Sequence, residues 1–383
     1  MTKTQTPMLE QMHSLPAMVR EVLPSFRAAA EETLTPALCA SLKSIYLVGC
    51  GDSHMAALGG ELAFHTLTGL PTRAMMALHF SRYTVPFLVE PQATAVIGIS
   101  VSGEVARTIE SVRLAGKVGA ITVGITGALQ SRLAFSASRV LKTTLPPLPT
   151  TVPTPGVRSY IASLLMLYVA AIRIGEVRGF LSSAAIRAAY EELEAVPDAI
   201  ETTIQANEGP IQALVTAWKD AQEFVFVGGG PNYGTALFSA AKLLEASGDS
   251  ALGQDMEEWM HLQYFARTVA TPTFFIDAGG RSTSRAREAV VAAKAIGRRV
   301  ATVVPVEERV MSAQAEVVLP VHGAVREAFS PLLYGLAGML FADYRAQLLG
   351  ENYFRAFAGG RSIEGGGGIS RIQTSELQEE VMP

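Results

Sequence analysis

The sequence predicts an α/β chain made of two tandem copies of one unit, each a mostly parallel, doubly wound sheet flanked by helices. Three observations carry this. Short apolar runs at 44–48 and 224–227 end in glycine-containing turns that lead into helical patterns, the alternation expected of parallel strands joined by helices. The second half repeats the first: strand and glycine turn, further apolar strands at 273–276, 300–304 and 317–321, and a closing apolar helix at 331–349 that parallels 160–174. With 383 residues, 49% hydrophobic and 17% charged, the chain can fill two cores and is not of disordered composition.

Composition excludes several classes of function. A formal net charge of −4 gives no electrostatic basis for nucleic-acid binding. Two cysteines, Cys39 and Cys50, make neither a disulfide framework nor a metal cluster, and no cofactor or metal is implied. The opening MTKTQTPMLEQMHS lacks the apolar core of a signal peptide, and the apolar run 159–172 is too short to cross a bilayer. A cytoplasmic protein with no membrane association is therefore expected.

In chain order, 8–16 reads as an amphipathic N-terminal helix packed on the first domain. Strand 44–48 feeds the turn Gly49-Cys50-Gly51-Asp52-Ser53-His54 and a helix to about residue 68. Strand 94–99 feeds Ser100-Val101-Ser102-Gly103-Glu104. As bare sequence, S-x-S-G is a turn and a helix cap. Paired with a glycine turn one strand earlier, the hydroxyls of Ser53, Ser100 and Ser102, the glycines Gly51 and Gly103, and the helix N–H groups can surround an anion. Strands follow at 120–125 and 140–143. The proline-rich stretch 145–156 is a loop, and 160–174 is a helix buried between domains or subunits. Residues 182–207 read as one or two helices broken near Pro197.

The chain is organised around 224–265. Three glycines, Gly228 to Gly230, follow the strand, but the spacing is not that of a dinucleotide site. Glu245 falls near Leu237 and Ala241 on a helical wheel, inside the apolar arc, so its carboxylate is either buried with a partner or facing a pocket. His261 follows Glu257 and Glu258 by one helical turn, and either could orient the imidazole. By periodicity alone the plainer reading is a surface carboxylate and a core histidine.

The motifs Lys242-Leu243-Leu244-Glu245 and Glu258-x-x-His261, with the GCGDS and SVSGEVART turns and the MLEQMHSLP opening, resemble the isomerase half of glucosamine-6-phosphate synthase and the fructosamine-6-phosphate deglycases, which are SIS (sugar isomerase) domain proteins. The resemblance implies two tandem SIS domains: an N-terminal helix over 1–30, a first domain at 31–178 that binds the anion, a helical connector at 179–210, a second domain at 211–350 with the acid–base residues, and a glycine-rich tail at 351–383 that closes on the site. It implies Glu245 as the proton shuttle between C1 and C2 of an open-chain sugar phosphate, His261 as the ring-opening acid–base group oriented by Glu258, and a homodimer in which that histidine reaches the neighbour's site. Laying Arg371 of RIQTS over the family's tail places arginine where relatives carry an imine-forming lysine, and arginine holds an anion without forming an imine. This sequence departs from the family at Asp52, Val101 and Val105, which replace donors, and at Arg107. In the second copy Asp277-Ala278-Gly279-Gly280 stands at the S-x-S position, so the cradle there is expected to be lost. No glutaminase domain precedes the N-terminal helix, so isomerisation, deamination or deglycation is expected rather than glutamine-dependent synthesis. The rival expectation is a non-catalytic sugar-phosphate-binding regulator.

Overall fold

The computed structural model describes residues 5–148, 152–362 and 368–382. The chain runs α1 Pro7–His13, α2 Leu15–Thr33, α3 Pro36–Ser41, β1 Ser44–Gly49, α4 Asp52–Thr68, β2 Thr72–Met76, α5 Ala77–Tyr83, β3 Thr94–Ile99, α6 Ala106–Lys117, β4 Ile121–Thr126, α7 Arg132–Ser136, β5 Arg139–Lys142 and α8 Arg158–Val177. It continues α9 Ser183–Ala217, β6 Glu223–Gly228, α10 Pro231–Ala246, β7 Ser250–Asp255, α11 Met256–His261, β8 Pro272–Ile276, α12 Thr283–Ala295, β9 Arg299–Pro305, β10 Val317–Val321, α13 Pro331–Tyr334, α14 Leu336–Leu349 and α15 Gly368–Thr374.

The expected fold class is the one observed. Two five-stranded sheets have the orders β2-β1-β3-β4-β5 and β10-β9-β8-β6-β7, and every pairing is parallel. Read from opposite ends, the two orders are the same topology, which establishes the duplication. Burial explains which strands the sequence announces. All six residues of β3 and all five of β8 are buried, so both read as continuous apolar runs. The outer strands β2 (TRAMM) and β7 (SALGQD) are mostly half-exposed, carry no such run, and were not expected.

The chain divides into two compact units, one of Met1–Ala17, Leu148–Arg158 and Ala195–Ala356, the other of Met18–Pro147, Ser159–Glu194 and Phe357–Pro383. The expected packing of the N-terminal helix on the first domain is corrected for α1, which belongs to the unit of the second sheet. There the Thr6 hydroxyl donates to the buried Asp343 carboxylate on α14 at 2.9 Å, and Gln11 holds the chain at Pro155 and Val157. The expected break at Pro197 is also corrected. Helix α9 runs through Pro197 and Pro210, with Leu193, Val196, Ile200, Ile204, Ile211 and Leu214 buried along it; burial of that stripe offsets the lost backbone hydrogen bonds.

Helix α8 extends the apolar run to 20 residues and reaches the length and hydropathy of a membrane span, but 83% of that stretch is buried inside the fold, as in a core helix. Helices α8 and α14 are buried along most of their length, so neither offers apolar surface to a second subunit.

Candidate active site

In the first sheet the direction of strand addition reverses between β1 and β3, which pair directly with Val48 opposite Gly98. Ligands of open α/β sheets bind at the carboxyl ends of strands at such a switch point. The Gly49–Ser53 turn leaves β1 there, and the Ser100–Glu104 turn leaves β3 beside it. Helices α4 and α6 start from these turns, and neither is capped by a side chain: their N-caps are Gly51 and Val105. Two helix starts without a side-chain cap therefore lie at the ends of neighbouring strands, where the helix dipoles favour negative charge, although at α4 the Ser53 and His54 N–H groups already donate to Cys50 O and Gly51 O. Val105 adds no donor of its own at the start of α6.

Ser100 is 1% exposed and its hydroxyl has no hydrogen-bond partner among the described residues. Buried hydroxyls are normally paired, so an orphan at a strand end calls for a ligand. Ser102 is exposed and its Oγ accepts from the Glu104 N–H at 3.3 Å. Ser53 is half-buried in the first turn of α4. Gly103 has φ +67°, and a Cβ there would lie 1.9 Å from Ser131 Oγ, so no other residue fits the turn. His54 was not expected at this site. It follows Ser53, its Nδ1 is buried without a partner among the described residues, and burial outweighs a backbone hydrogen bond at Met75 in lowering its pKa below the usual imidazole value.

The second copy repeats the turn geometry and closes it. Gly51 and Gly230, the N-caps of α4 and α10, have φ/ψ of 53°/−131° and 55°/−129°. At the β6/β8 switch point, however, Glu327 accepts the Arg281 N–H at 2.9 Å and pairs with the Arg281 guanidinium. A Cβ on Gly280 would stand 2.3 Å from Glu327 Oε1. A carboxylate of the chain itself thus occupies the second crevice. Asp277, at the S-x-S position, is 1% exposed and accepts from Gly279 N–H, Ser282 and Thr283. Burial is the main cause of its raised pKa.

Glu245 is not on the buried arc of α10. Leu237, Ala241 and Glu245 form its half-exposed stripe, and the Glu245 side chain is 30% exposed. The buried residue is Lys242, fully enclosed, whose ammonium reaches Glu245 Oε2 at 2.5 Å and lies 4.9 Å from the Phe238 ring centre. A fully buried lysine is rare without a partner, and this one fixes the carboxylate at the edge of the helix; periodicity gave no hint of it.

The His261 side chain is 66% exposed rather than in a core, and its Nε2 meets Glu257 Oε1 at 3.1 Å. The expected orienting residue, Glu258, is corrected to Glu257, four residues before the histidine on α11 and therefore on its face. Arg285 grips the same carboxylate through Nε at 2.6 Å and Nη2 at 2.9 Å, and this contact leads in lowering the Glu257 pKa.

The tail belongs to the unit of the first sheet. Residues 363–367 of its glycine-rich run lie outside the described residues, and Arg371 is exposed on α15. Two residues on, Gln373 O accepts from Arg132 Nη2 at 2.6 Å, and Arg132 Nε donates to Glu104 of the S-x-S-G-E turn at 2.6 Å. Arg107 binds Glu110, Ser375 Oγ and Glu376 O. Glu110 is fully buried and also accepts from Ser81, Arg82 and the Gln378 N–H. Burial alone would raise its pKa, and these donors together lower it. Leu377 and Val381 complete two apolar clusters of the domain.

Comparison with known proteins bears on the fold. Residues 39–173 match the SIS domain model. The chain is 29% identical over 330 residues to a glutamine–fructose-6-phosphate aminotransferase (isomerizing) of Gloeobacter violaceus, covering 85% of this chain and 53% of that protein. It is 30% identical over 232 residues to the protein of that name from Thermotoga maritima, covering 61% and 37%. The chain thus spans about half the length of the curated relatives it matches. The fold is that of the C-terminal domain of glucosamine-fructose-6-phosphate aminotransferase from Francisella tularensis, with TM-score 0.80, 19% identity and coverage of 91% and 97%. A glucosamine-6-phosphate deaminase of Thermotoga maritima superposes with TM-score 0.63, 18% identity and coverage of 98% and 99%. Residues 39–173 are a SIS domain, and the chain is homologous to the isomerase half of glutamine–fructose-6-phosphate aminotransferase.

Proposed function

We propose that this protein is an enzyme acting on an open-chain sugar phosphate by proton transfer between C1 and C2, as an aldose–ketose isomerase or as a deaminase or deglycase of an aminosugar or fructosamine phosphate. One observation carries the reading: a buried, unpartnered Ser100 hydroxyl at a switch point where two helices begin without caps. That arrangement fits a dianionic group better than any neutral one. Ser53, Ser102, Gly51 and Gly103 complete the cradle, and Arg371 adds a cation from the tail, anchored by Arg107 and Glu110.

In this reading Glu245, held by Lys242, takes the proton from one carbon of the bound sugar and returns it to the other through an enediol or enolamine. His261, oriented by Glu257, moves the proton of the ring oxygen during ring opening. The exposure of His261 beside Leu262 and Phe265, which are 60% and 76% exposed, supports a homodimer in which α11 meets a second subunit. The core placement of α8 supports a cytoplasmic protein. No step requires a cofactor or metal.

Loss of donors at Asp52, Val101 and Val105 favours a second reading, a regulator that binds sugar phosphate without turnover. A melting-temperature panel of fructose 6-phosphate, glucosamine 6-phosphate and fructosamine 6-phosphate on wild type and Ser100→Ala, with amine-free fructose as the unphosphorylated control, tests the cradle. Phosphorylated sugars should raise the wild-type melting temperature through binding to the folded state, and an equal shift by fructose, or undiminished shifts in Ser100→Ala, would refute it.

A further inference from the structure

A cleft of about 450 Å³ opens at the carboxyl ends of β8, β9 and β10. It is walled by Ala278 after β8, Pro305 to Glu307 at the end of β9, Val321 to Val325 at the end of β10, and Tyr334 of α13. The size suits a small ligand, and the mixed polar and apolar wall suits a hydroxyl-bearing one. Three polar side chains line the cleft. Tyr334 is 4% exposed, and its hydroxyl has no hydrogen-bond partner among the described residues. The Glu307 carboxylate and the His322 ring likewise have no ion pair or side-chain hydrogen bond among the described residues. Tyr334 feels the negative charges of Asp277 and Glu307, which add to burial in raising its pKa.

The duplication explains what kind of ligand fits. Its strands β8, β9 and β10 correspond to β3, β4 and β5 of the first sheet, so the cleft shares with the cradle only the β8/β3 strand end, and its charge is reversed. Asp277 replaces a serine, the Glu327 carboxylate fills the adjoining switch point, and no lysine or arginine lines the wall. A phosphate is therefore repelled, whereas an ammonium group would meet Glu307 and hydroxyls would meet Tyr334 and His322. We propose that this cleft is a second ligand site, for a small unphosphorylated polyol bearing an amine, of the aminosugar class. The proposal does not depend on catalysis at the first sheet.

Calorimetric titration of the full chain with D-glucosamine tests it, with D-glucose as the uncharged control. Saturable glucosamine binding is expected, with glucose at least about tenfold weaker, the scale of one hydrogen bond to a charged group. Glu307→Gln and Tyr334→Phe should each weaken glucosamine by about tenfold without lowering the melting temperature, since neither group has a partner to lose. Ser100→Ala should leave glucosamine binding intact. Absence of saturable binding, equal binding of glucose, indifference to Glu307→Gln, or loss in Ser100→Ala would each overturn the proposal.

Discussion

Replacing Ser100 by alanine should make the unliganded protein more stable and the liganded one weaker. In the empty site the Ser100 hydroxyl is buried with no partner, a condition that costs about 1–3 kcal/mol. Alanine removes the polar atom, keeps Cβ and opens a space too small to matter, so a gain of about 1 kcal/mol is expected. When an anionic oxygen fills the cradle, the same hydroxyl donates a charge-assisted hydrogen bond worth about 1.5–3 kcal/mol, and its loss weakens binding by about 10- to 150-fold. Ser111 is the control. Its hydroxyl is equally buried but lies 2.9 Å from both Ala77 O and Arg107 O, either of which can accept its single proton, so Ser111→Ala should destabilise by about 1 kcal/mol. Thermal melts of the empty proteins and calorimetric titration with fructose 6-phosphate read both effects. A Ser100→Ala protein that melts lower than wild type and binds with unchanged affinity would refute the reasoning.

Two further outcomes follow from the corrected geometry. Glu257→Gln should slow turnover on ring-closed substrate by about two- to fivefold, as expected of an exposed pair, and Glu258→Gln should leave it unchanged; the reverse order in steady-state rates would restore Glu258 as the orienting group. Glu110→Gln should loosen the tail by about 2 kcal/mol, below the roughly 3–5 kcal/mol of fully buried pairs because Arg82 is a third exposed. The Glu110 pKa is lowered from 4.5 by folding, so its contribution is complete above about pH 4.5 and declines as pH falls below that value through the folded pKa. Hydrogen exchange of 375–382 should therefore speed up in Glu110→Gln at neutral pH, and in wild type only under acid. Exchange that is already fast in wild type at pH 7 would show that the tail is not held.

The parts of the fold legible in the sequence are those whose physics is local. Strands β1, β3, β6 and β8 are central and buried, so their apolar runs stand out, and the glycine turns after β1 and β6 announce helix starts that share one backbone geometry. The outer strands β2 and β7 owe their conformation to one neighbouring strand each, which no short window contains. Pro197 read as a break because its cost is local, whereas the buried stripe that outweighs it extends along 35 residues of α9. At the site, residue types and spacing marked Glu245, His261 and the serines. They could not show that Lys242 is the buried member of its pair, that Arg107 holds the tail, or that Glu327 fills the second crevice, since Glu327 lies 46 residues from its partner Arg281.

The central claim is that this chain moves a proton between C1 and C2 of a bound sugar phosphate. Incubating the wild-type protein with fructose 6-phosphate and glucosamine 6-phosphate in D₂O, and following deuterium at C1 and C2 by NMR, tests it whatever the product is. Wild type should incorporate deuterium, and Glu245→Gln should lose about 10²–10⁴-fold in that rate while binding the same ligands with near-normal affinity. Saturable binding with no exchange in the wild type, or exchange unaltered in Glu245→Gln, would contradict the account.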